Sequence, residues 1–412
     1  MTPQLNLTPQ EKEMLAGGAG PGVQKAMEIV VALGQIYGAR DLVPVTSVQV
    51  SGVSYKNLGD AGLAFLEEWA AQGAQARVPA TLNPAGMDLS DWSHLGFSPD
   101  FAQRQTAVIE AYVSLGITPT CTCTPYLVGY VPQFGQHVAW AESSAVSFAN
   151  SMLGARTNRE GGPSALAAAI TGRTARYGLH LDANRRATAV VDVQCPVRTE
   201  ADLGALGYQV GRLVRNGVPY FRFGARLDWQ PGSWVWKTFG AAMAASGAVA
   251  LWHMEGLTPE AEMGDVVASG AHSFVVDDLG PAYDALNGSA QEVDLVSIGC
   301  PHASLAEIED VVTFLGGRQL KAALWITTAR ATREAAQRAG LVERIESAGG
   351  RVVADTCLVV APVASLGHRT MATNSAKMAS YTPSHSGLSV RFGSMEQCLE
   401  AAVTGRWPAA GR

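Results

Sequence analysis

The chain has 412 residues, of which 47% are apolar and 16% charged, so we expect a sizeable core and two or three packed subdomains. Its formal charge is −6 and no cluster of lysine and arginine stands out, which argues against nucleic acid or an anionic membrane as a partner. The first 20 residues lack the features of a signal peptide, and no later segment reaches about 18 uninterrupted apolar residues. We therefore expect a soluble cytoplasmic protein.

Short segments rich in Val, Ile and Leu alternate with longer amphipathic segments, a pattern typical of strands connected by helices. In the first two thirds of the chain this pattern predicts strands over 42–50, 76–82, 187–194 and 218–223, and helices over 59–72 and 200–215. In the last third it predicts strands over 293–300, 320–329 and 351–361, and helical segments over 305–317 and 333–350.

The three C-terminal strands are apolar along their whole length, as expected for parallel strands that are buried on both faces. The sequence therefore predicts an α/β protein built from several βαβ subdomains. We treat 1–412 as one catalytic region with an N-terminal α/β part, 1–290, and a C-terminal α/β part, 291–412. Ligands of such sheets collect beyond the carboxyl ends of the strands. Cys300 is predicted to lie where the first of these strands ends, and Cys357 late in the third or just past it.

Four polar, glycine-rich segments interrupt the apolar pattern, over 51–60, 121–129, 142–164 and 373–381. Such loops often bind ligands, although turns and helix caps use the same residue types. Within them, two arginines are candidates for clamping a carboxylate, and an acid and a lysine are candidates for binding or proton transfer, namely Arg156, Arg159, Glu142 and Lys377. The alternative for each is a solvated or salt-bridged side chain. Signatures of serine hydrolases, HExxH zinc enzymes and P-loop phosphate binding are missing from the sequence.

The six cysteines are too few for a disulfide framework in a chain of this length, so metal binding becomes a candidate role. Cys123, Cys300 and Cys357 form no CxxC pair, and a buried structural cysteine is at least as good an interpretation of each from context alone. The contexts of Cys195 and Cys398 favour core positions, whereas that of Cys121 is ambiguous. His302 is equally consistent with a ligand-orienting role and with a structural histidine.

Eight segments, taken in order, resemble the aconitase X family. They are SGVSYKNLGDAGLAFLEEW, TLNPAGMD, CTPYLVG, WAESSAVSFANSMLGARTNREGGPSALAAAITG, DLVSIGCPHASLAEIE, DTC, ATNSAKMASY and RFGS. The resemblance spans almost the whole chain and implies an aconitase-like fold with parallel sheets around a central iron site. It also implies a hydro-lyase, related to aconitase and isopropylmalate dehydratase, that dehydrates a small hydroxy acid.

The resemblance also implies roles for individual residues. Cys123, Cys300 and Cys357 would be the iron ligands, of a [4Fe-4S] or [2Fe-2S] cluster or of mononuclear iron. Three thiolates would leave one iron of a cubane open to act as a Lewis acid. The residues implied to bind substrate are Gly52, Val53, Ser54, Asn83, Pro84, Glu142, Ser143 and Lys377, and the last three of these are also the implied catalytic residues.

The family resemblance further implies a partner, because the matching motifs extend from near residue 1 to Trp407 and leave no room for the small swivelling domain. We expect a separate small subunit that contributes an acid/base serine. The Ala/Gly-rich, Arg-favouring composition favours cis-3-hydroxy-L-proline as substrate, with mevalonate 5-phosphate as the alternative. A third hypothesis, from another class, is a non-catalytic iron-binding regulatory protein.

Overall fold

The computed structural model describes residues 5–224, 235–264 and 266–408. Helices and short strands alternate in the first part of the chain. They are α1 (Pro9–Leu15), α2 (Pro21–Ile36), β1 (Leu42–Pro44), β2 (Val48–Val50), α3 (Tyr55–Ala71), β3 (Ala80–Leu82), α4 (Pro99–Ser114), β4 (Ala139–Trp140), α5 (Ser143–Ser151), α6 (Gly162–Thr171) and β5 (Arg173–Ala175).

The middle and C-terminal parts continue the alternation with longer strands. The middle part contains β6 (Ala187–Val193), α7 (Glu200–Val214), β7 (Pro219–Phe223), α8 (Val235–Gly247), β8 (His253–Met254), β9 (Val267–Val276) and α9 (Gly280–Leu286). The C-terminal part contains β10 (Leu295–Ala303), α10 (Leu305–Leu315), β11 (Ala323–Thr328), α11 (Arg330–Arg338), α12 (Leu341–Ser347), β12 (Arg351–Ala354), β13 (Thr370–Thr373), α13 (Ala376–Ser386), β14 (Ser389–Phe392) and α14 (Met395–Thr404).

Three parallel sheets organise these elements. In the first part the strand order is β3-β2-β4, in the middle part β8-β7-β6-β9, and in the C-terminal part β12-β11-β10-β13-β14. A separate antiparallel pair joins β1 to β5. The prediction of an α/β protein with several parallel sheets is confirmed. The division at 290/291 falls between α9 and β10 and stays a prediction.

Several predicted elements differ from the observed ones in extent. The predicted strand over 42–50 is two strands in different sheets, and the predicted helical segment over 333–350 is two helices separated at Gly340, which has φ +70°. The run over 351–361 remains extended only to Ala354, because Asp355 adopts a left-handed conformation with φ +65° that turns the chain. Apolar composition predicted burial correctly here, but it does not mark where a buried strand turns into a buried loop.

Each of the three parallel sheets packs within its own apolar cluster. The middle cluster also contains Ala376, Ala379, Val390 and Phe392, so α13 and β14 pack against the middle part of the chain. The first and C-terminal parts meet where Ala85 forms a parallel bridge with Thr356. None of the helices in the described parts of the chain is long and apolar enough to cross a membrane.

A buried charge cluster stabilises the contact between the first and C-terminal parts. Arg330 forms ion pairs with both Asp88 and Asp355, whose side chains are almost fully buried. Asp88 also accepts a hydrogen bond of 2.8 Å from the backbone amide of Ala354, at the end of β12. Because removing one partner of a buried pair leaves an uncompensated charge, this cluster fixes the position of the segment that follows β12.

Strand β10 is irregular at Gly299, where its pairing register with β11 shifts. Gly299 has φ +99°, and a Cβ atom there would lie 2.1 Å from the carbonyl oxygen of Thr327. Both the backbone conformation and the close approach of β11 therefore require glycine. This irregularity sets the course of the chain at the next residue, Cys300.

We expect Gly299→Ala to lower the free energy of unfolding by about 3 kcal/mol, since it combines an unfavourable φ with a backbone clash. Gly317→Ala is the matched control, because Gly317 has φ +86° but no atom within 4 Å of the position that a Cβ atom would take. It should cost only about 1 kcal/mol, from backbone strain alone. Chemical denaturation followed by circular dichroism measures both, and equal losses would contradict the crowding argument.

Candidate active site

A cavity of about 40 Å³ lies where the carboxyl ends of two parallel sheets approach each other. The first sheet contributes the residues that follow β3 and β4, and the C-terminal sheet contributes residues within β10 and after β12 and β13. The wall consists of Asn83, Pro84, Cys123, Glu142, Gly299, Cys300, Pro301, Cys357, Val359, Val360 and Lys377. The location agrees with the expectation that ligands of parallel sheets collect at this edge.

Most of the predicted site residues meet in this cavity. Its wall includes all three candidate metal ligands, Cys123, Cys300 and Cys357, and four of the candidate substrate residues, Asn83, Pro84, Glu142 and Lys377. Ser143 lies directly behind them, where its hydroxyl accepts a hydrogen bond of 3.3 Å from the ammonium of Lys377. Their common location is a structural finding, whereas the chemical role of each residue stays a prediction.

An ion pair between Lys377 and Glu142 dominates the electrostatics of the cavity. The Glu142 carboxylate also accepts hydrogen bonds from Asn83 at 2.9 Å and from the hydroxyls of Ser143 and Ser144 at 3.3 Å each. Burial opposes ionisation of Glu142, but the Lys377 ammonium outweighs it and lowers the pKa of Glu142 to about 2. The same carboxylate raises the pKa of Lys377 against the effect of burial. Both groups are therefore charged at neutral pH.

The side chain of Asn83 uses only one of its two polar atoms in a hydrogen bond within the protein. Its amide nitrogen donates to Glu142, whereas its carbonyl oxygen is buried without a hydrogen-bond partner. A buried acceptor without a partner is unusual, and its cost is recovered when a ligand supplies a donor. The side-chain carbonyl of Asn83 is thus available to accept a hydrogen bond from a hydroxyl group bound in the cavity.

The three cysteines of the cavity are unpaired thiols that are largely withdrawn from solvent. Burial raises the pKa values of Cys123 and Cys300, and burial together with the neighbouring Cys300 raises the pKa of Cys357 to about 12. These thiols are therefore protonated at neutral pH in the absence of a metal, despite the nearby ammonium of Lys377. Binding of a soft metal would favour their thiolate forms, so the chemistry of these donors fits iron or an iron–sulfur cluster.

The spacing of the donors bears on the kind of metal group. Among residues 5–224, 235–264 and 266–408, no three His, Cys, Asp or Glu side chains are grouped closely enough to hold a single metal ion. Cys123, Cys300 and Cys357 nevertheless line one cavity.

The other three cysteines lie away from the cavity wall. Cys195 and Cys398 belong to apolar clusters, as their sequence contexts predicted. Cys121, which was ambiguous, is fully buried in the apolar cluster of the first part.

His302 is a structural histidine rather than a residue of the cavity wall. Its ring nitrogens are both engaged, Nδ1 with the Thr122 hydroxyl at 3.0 Å and Nε2 with the Thr356 carbonyl at 2.9 Å. Burial lowers the pKa of His302 to about 4, so the ring is neutral. Its backbone amide donates a hydrogen bond of 3.2 Å to the sulfur of Cys123. The residue thus connects the loops that carry Cys123 and Cys357.

Besides Ser143, three further candidate substrate residues lie outside the cavity wall. Gly52 and Val53 precede α3, and their carbonyl oxygens accept hydrogen bonds from Tyr112 and Gln105. The Ser54 hydroxyl donates a hydrogen bond of 2.9 Å to the carbonyl of Val360, a wall residue. This loop therefore supports the cavity from outside, and its predicted contact with an anionic group stays a prediction.

The two candidate arginines are not part of the cavity wall. Arg156 forms an ion pair with Asp182, which corresponds to the salt-bridged alternative. Arg159 is exposed. The proposed carboxylate clamp is therefore not assembled by these two side chains in this structure.

Sequence reasoning missed a buried ion pair behind the cavity. Lys237 on α8 pairs with Glu307 at 3.0 Å and donates a hydrogen bond of 3.1 Å to the carbonyl of Pro301, a wall residue. The capping-box pattern Ser304-x-x-Glu307 was a local signal for the acid. Lys237 has no comparable signal, because its partners lie more than 60 positions away.

Comparison with known proteins gives consistent matches over nearly the whole chain. Family models match over residues 4–183 (aconitase X first domain), 187–279 (second domain) and 293–404 (third domain). The phosphomevalonate dehydratase large subunit of Methanothermobacter thermautotrophicus is 52% identical, over 92% of this chain and 94% of that protein. The cis-3-hydroxy-L-proline dehydratase of Pseudomonas aeruginosa is 35% identical, over 97% of this chain and 70% of that protein.

A solved structure agrees with these matches. The crystal structure of Thermococcus kodakaraensis aconitase X in its holo-form has a TM-score of 0.89 and 46% sequence identity. It covers 97% of this chain, and this chain covers 100% of it. Matches of this extent confirm the resemblance found in the sequence motifs, and the chain belongs to the aconitase X family of hydro-lyases.

Proposed function

We propose that this chain is the large subunit of a phosphomevalonate dehydratase, which removes water from mevalonate 5-phosphate. The observation that carries the proposal is sequence identity. Large subunits of that name from Methanothermobacter thermautotrophicus and Methanocaldococcus jannaschii are 52% and 47% identical to this chain. The cis-3-hydroxy-L-proline dehydratases of Hypocrea jecorina and Pseudomonas aeruginosa are 36% and 35% identical. These identities favour mevalonate 5-phosphate over cis-3-hydroxy-L-proline, the substrate that composition favoured.

The extent of the matches supports a separate partner subunit. The match with the large subunit of Methanocaldococcus jannaschii covers 99% of that protein, whereas the match with the Hypocrea jecorina enzyme covers only 69% of its length. The hydroxyproline enzymes therefore contain a region that this chain does not match. We propose that a small subunit supplies the corresponding swivelling domain and its acid/base serine.

The proposed cofactor is an iron–sulfur cluster held by Cys123, Cys300 and Cys357. Three thiols that line one cavity support this cofactor, because cysteine thiolates are the usual ligands of iron–sulfur clusters. When bound, such a group supplies an open iron site that acts as a Lewis acid toward the departing hydroxyl.

The polar residues of the cavity are suited to binding the substrate and bear on how protons are transferred. Lys377 would attract a carboxylate of the substrate, and the free carbonyl oxygen of Asn83 would accept a hydrogen bond from a substrate hydroxyl. Glu142 is the only carboxyl group among the described wall residues, and its low pKa keeps it ionised at neutral pH, so it has no proton to donate. The proton for the departing hydroxyl must then come from another group, which is the role proposed for the partner's serine.

The same arrangement bears on the hypothesis of a non-catalytic iron-binding protein. Glu142, Lys377 and Asn83 lie in one wall with the three cysteines, although they come from distant parts of the sequence. An iron-binding regulator has no need for a charged pair beside its metal ligands. The arrangement therefore supports catalysis.

The substrate is tested by co-expressing the chain with a candidate small subunit and assaying mevalonate 5-phosphate and cis-3-hydroxy-L-proline side by side. We expect loss of water from mevalonate 5-phosphate alone. Mass spectrometry of the product measures this loss. Turnover of hydroxyproline alone would overturn the proposed substrate, and turnover of neither by an iron-loaded complex would overturn both candidates.

The metal ligands are tested with cysteine variants. Cys123→Ser, Cys300→Ser and Cys357→Ser should each lose most of the iron that the wild-type protein retains after anaerobic reconstitution, because serine is a poor ligand for soft metals. Cys121→Ser, Cys195→Ser and Cys398→Ser are the matched controls and should retain it. Iron content is measured by a colorimetric chelator, and retention by all six variants would rule out this ligand set.

The ion pair between Glu142 and Lys377 should make the stability of the protein depend on pH. The pKa of Glu142 is lowered from 4.5 to about 2 by folding, so its stabilising effect is present above pH 4.5 and lost as the pH falls toward 2. Glu142→Gln should therefore be less stable than wild type by about 3 kcal/mol at neutral pH, with the difference shrinking in acid.

Glu160→Gln provides the control for this titration. Burial raises the pKa of Glu160, so wild type gains stability relative to this variant as the pH falls. The midpoints of denaturant unfolding of wild type and both variants, measured between about pH 7 and pH 2, distinguish the opposite trends expected for Glu142→Gln and Glu160→Gln. A constant difference between wild type and Glu142→Gln across this range would contradict the pairing of Glu142 with Lys377.

A further inference from the structure

The middle part of the chain contributes none of the described residues of the cavity wall, yet its helix α8 lies behind the site. Helix α8 packs against α5, which Glu142 caps, and against α13, which carries Lys377. The approach to α5 is close at Gly240, where a Cβ atom would lie 2.6 Å from the hydroxyl oxygen of Ser147. One helix of the middle part thus contacts both helices that present the central ion pair.

Lys237 connects α8 to the backbone of the cavity wall. Its side chain is only 1% exposed, and its ammonium pairs with Glu307 at 3.0 Å. The same ammonium donates a hydrogen bond of 3.1 Å to the carbonyl of Pro301. Pro301 directly follows Cys300, and both are wall residues. A side chain of the middle part therefore contacts the wall from behind.

The contact falls where the sheet itself does not hold the wall segment 299–303. At the two ends of this segment, hydroxyls of β11 donate hydrogen bonds to its carbonyls, from Thr327 to Gly299 at 2.8 Å and from Thr328 to Ala303 at 2.6 Å. Between these two points the pairing of β10 with β11 is interrupted. The hydrogen bond from the middle part therefore holds the segment within the interruption.

A purely structural role for Lys237 would be to neutralise Glu307. That carboxylate caps α10 by accepting hydrogen bonds from the backbone amide and the hydroxyl of Ser304. Neutralisation requires only the positive charge of Lys237 close to the carboxylate. The hydrogen bond to Pro301 additionally requires the ammonium to lie between α10 and the cavity wall. The two roles can be separated, because only the second depends on Pro301.

We propose that Lys237 is a positioning residue of the candidate site, which holds the Cys300–Pro301 segment in place from the middle part of the chain. A hydrogen bond from a charged donor is stronger than one from a neutral donor, so its loss should free this segment. The position of the segment is a property of the protein without metal. The consequence for iron, which is that a better fixed Cys300 retains it longer, rests on the proposed function.

The test compares Lys237→Met with Glu307→Gln, each as the full chain purified with its partner subunit. Both variants break the same buried ion pair, but only Glu307→Gln keeps the side chain that donates to Pro301. In the protein without metal, we expect the amides of residues 300–303 to exchange with deuterium about tenfold faster in Lys237→Met, as expected for loss of one hydrogen bond from a charged donor. Mass spectrometry of proteolytic fragments measures this exchange.

Two further measurements accompany this comparison. Fragments of β6, in the middle sheet, report global unfolding and should exchange equally in the two variants. After anaerobic reconstitution with iron and sulfide, Lys237→Met should lose iron to a chelator about tenfold faster than Glu307→Gln.

Equal exchange over residues 300–303 in the two variants would overturn the inference, because Lys237 would then act only as the counter-charge of Glu307. If Lys237→Met does not fold, the double variant Lys237→Met/Glu307→Gln takes its place, since it contains no unpaired charge and still lacks the ammonium. Equal iron loss by the two loaded variants would overturn the consequence for the metal. If wild type takes up no iron, the proposed function fails, whereas the exchange measurement still decides the inference.

Discussion

The ion pair between Glu142 and Lys377 is the interaction on which the geometry of the candidate site depends. Its two charges come from positions 235 residues apart, and they meet in a cavity with little access to solvent. A buried charge without its partner is strongly unfavourable, so the first and C-terminal parts of the chain must remain docked for both charges to be satisfied. Because Lys377 lies on α13, which also packs against the middle part, one helix connects the site to all three sheets.

The remainder of the site is arranged around this pair by ordinary features of parallel sheets. Side chains beyond the carboxyl ends of strands are held by the sheet but are not needed for its hydrogen bonding. Departures from regular structure then aim them inward, since Gly299 redirects β10 before Cys300 and Asp355 turns the chain before Cys357. The close packing that requires glycine at position 299 also places β11 directly against this residue of the cavity wall.

Much of this could be predicted from the sequence. Alternating apolar segments gave the α/β class, and family motifs singled out Cys123, Cys300 and Cys357 among six cysteines that spacing alone could not separate. What could not be predicted depends on long-range contacts. Lys237 has no local signal because its partners are far away in the chain, and an exposed loop residue such as Arg159 looks like a ligand-binding residue whether or not it reaches a cavity. Composition favoured cis-3-hydroxy-L-proline, whereas sequence identity supports the alternative, mevalonate 5-phosphate, because composition reflects the source of a protein more than the chemistry of its site.

The dispersal of the cavity wall along the chain, from Asn83 to Lys377, has a consequence for biogenesis. No fragment that emerges early in synthesis contains all three cysteines, and loop-closure entropy opposes bringing them together before the sheets have formed. Loading of the proposed iron group would therefore be a late step that follows tertiary folding and does not nucleate it. Occupancy of the proposed site would then require that the sheets had already formed.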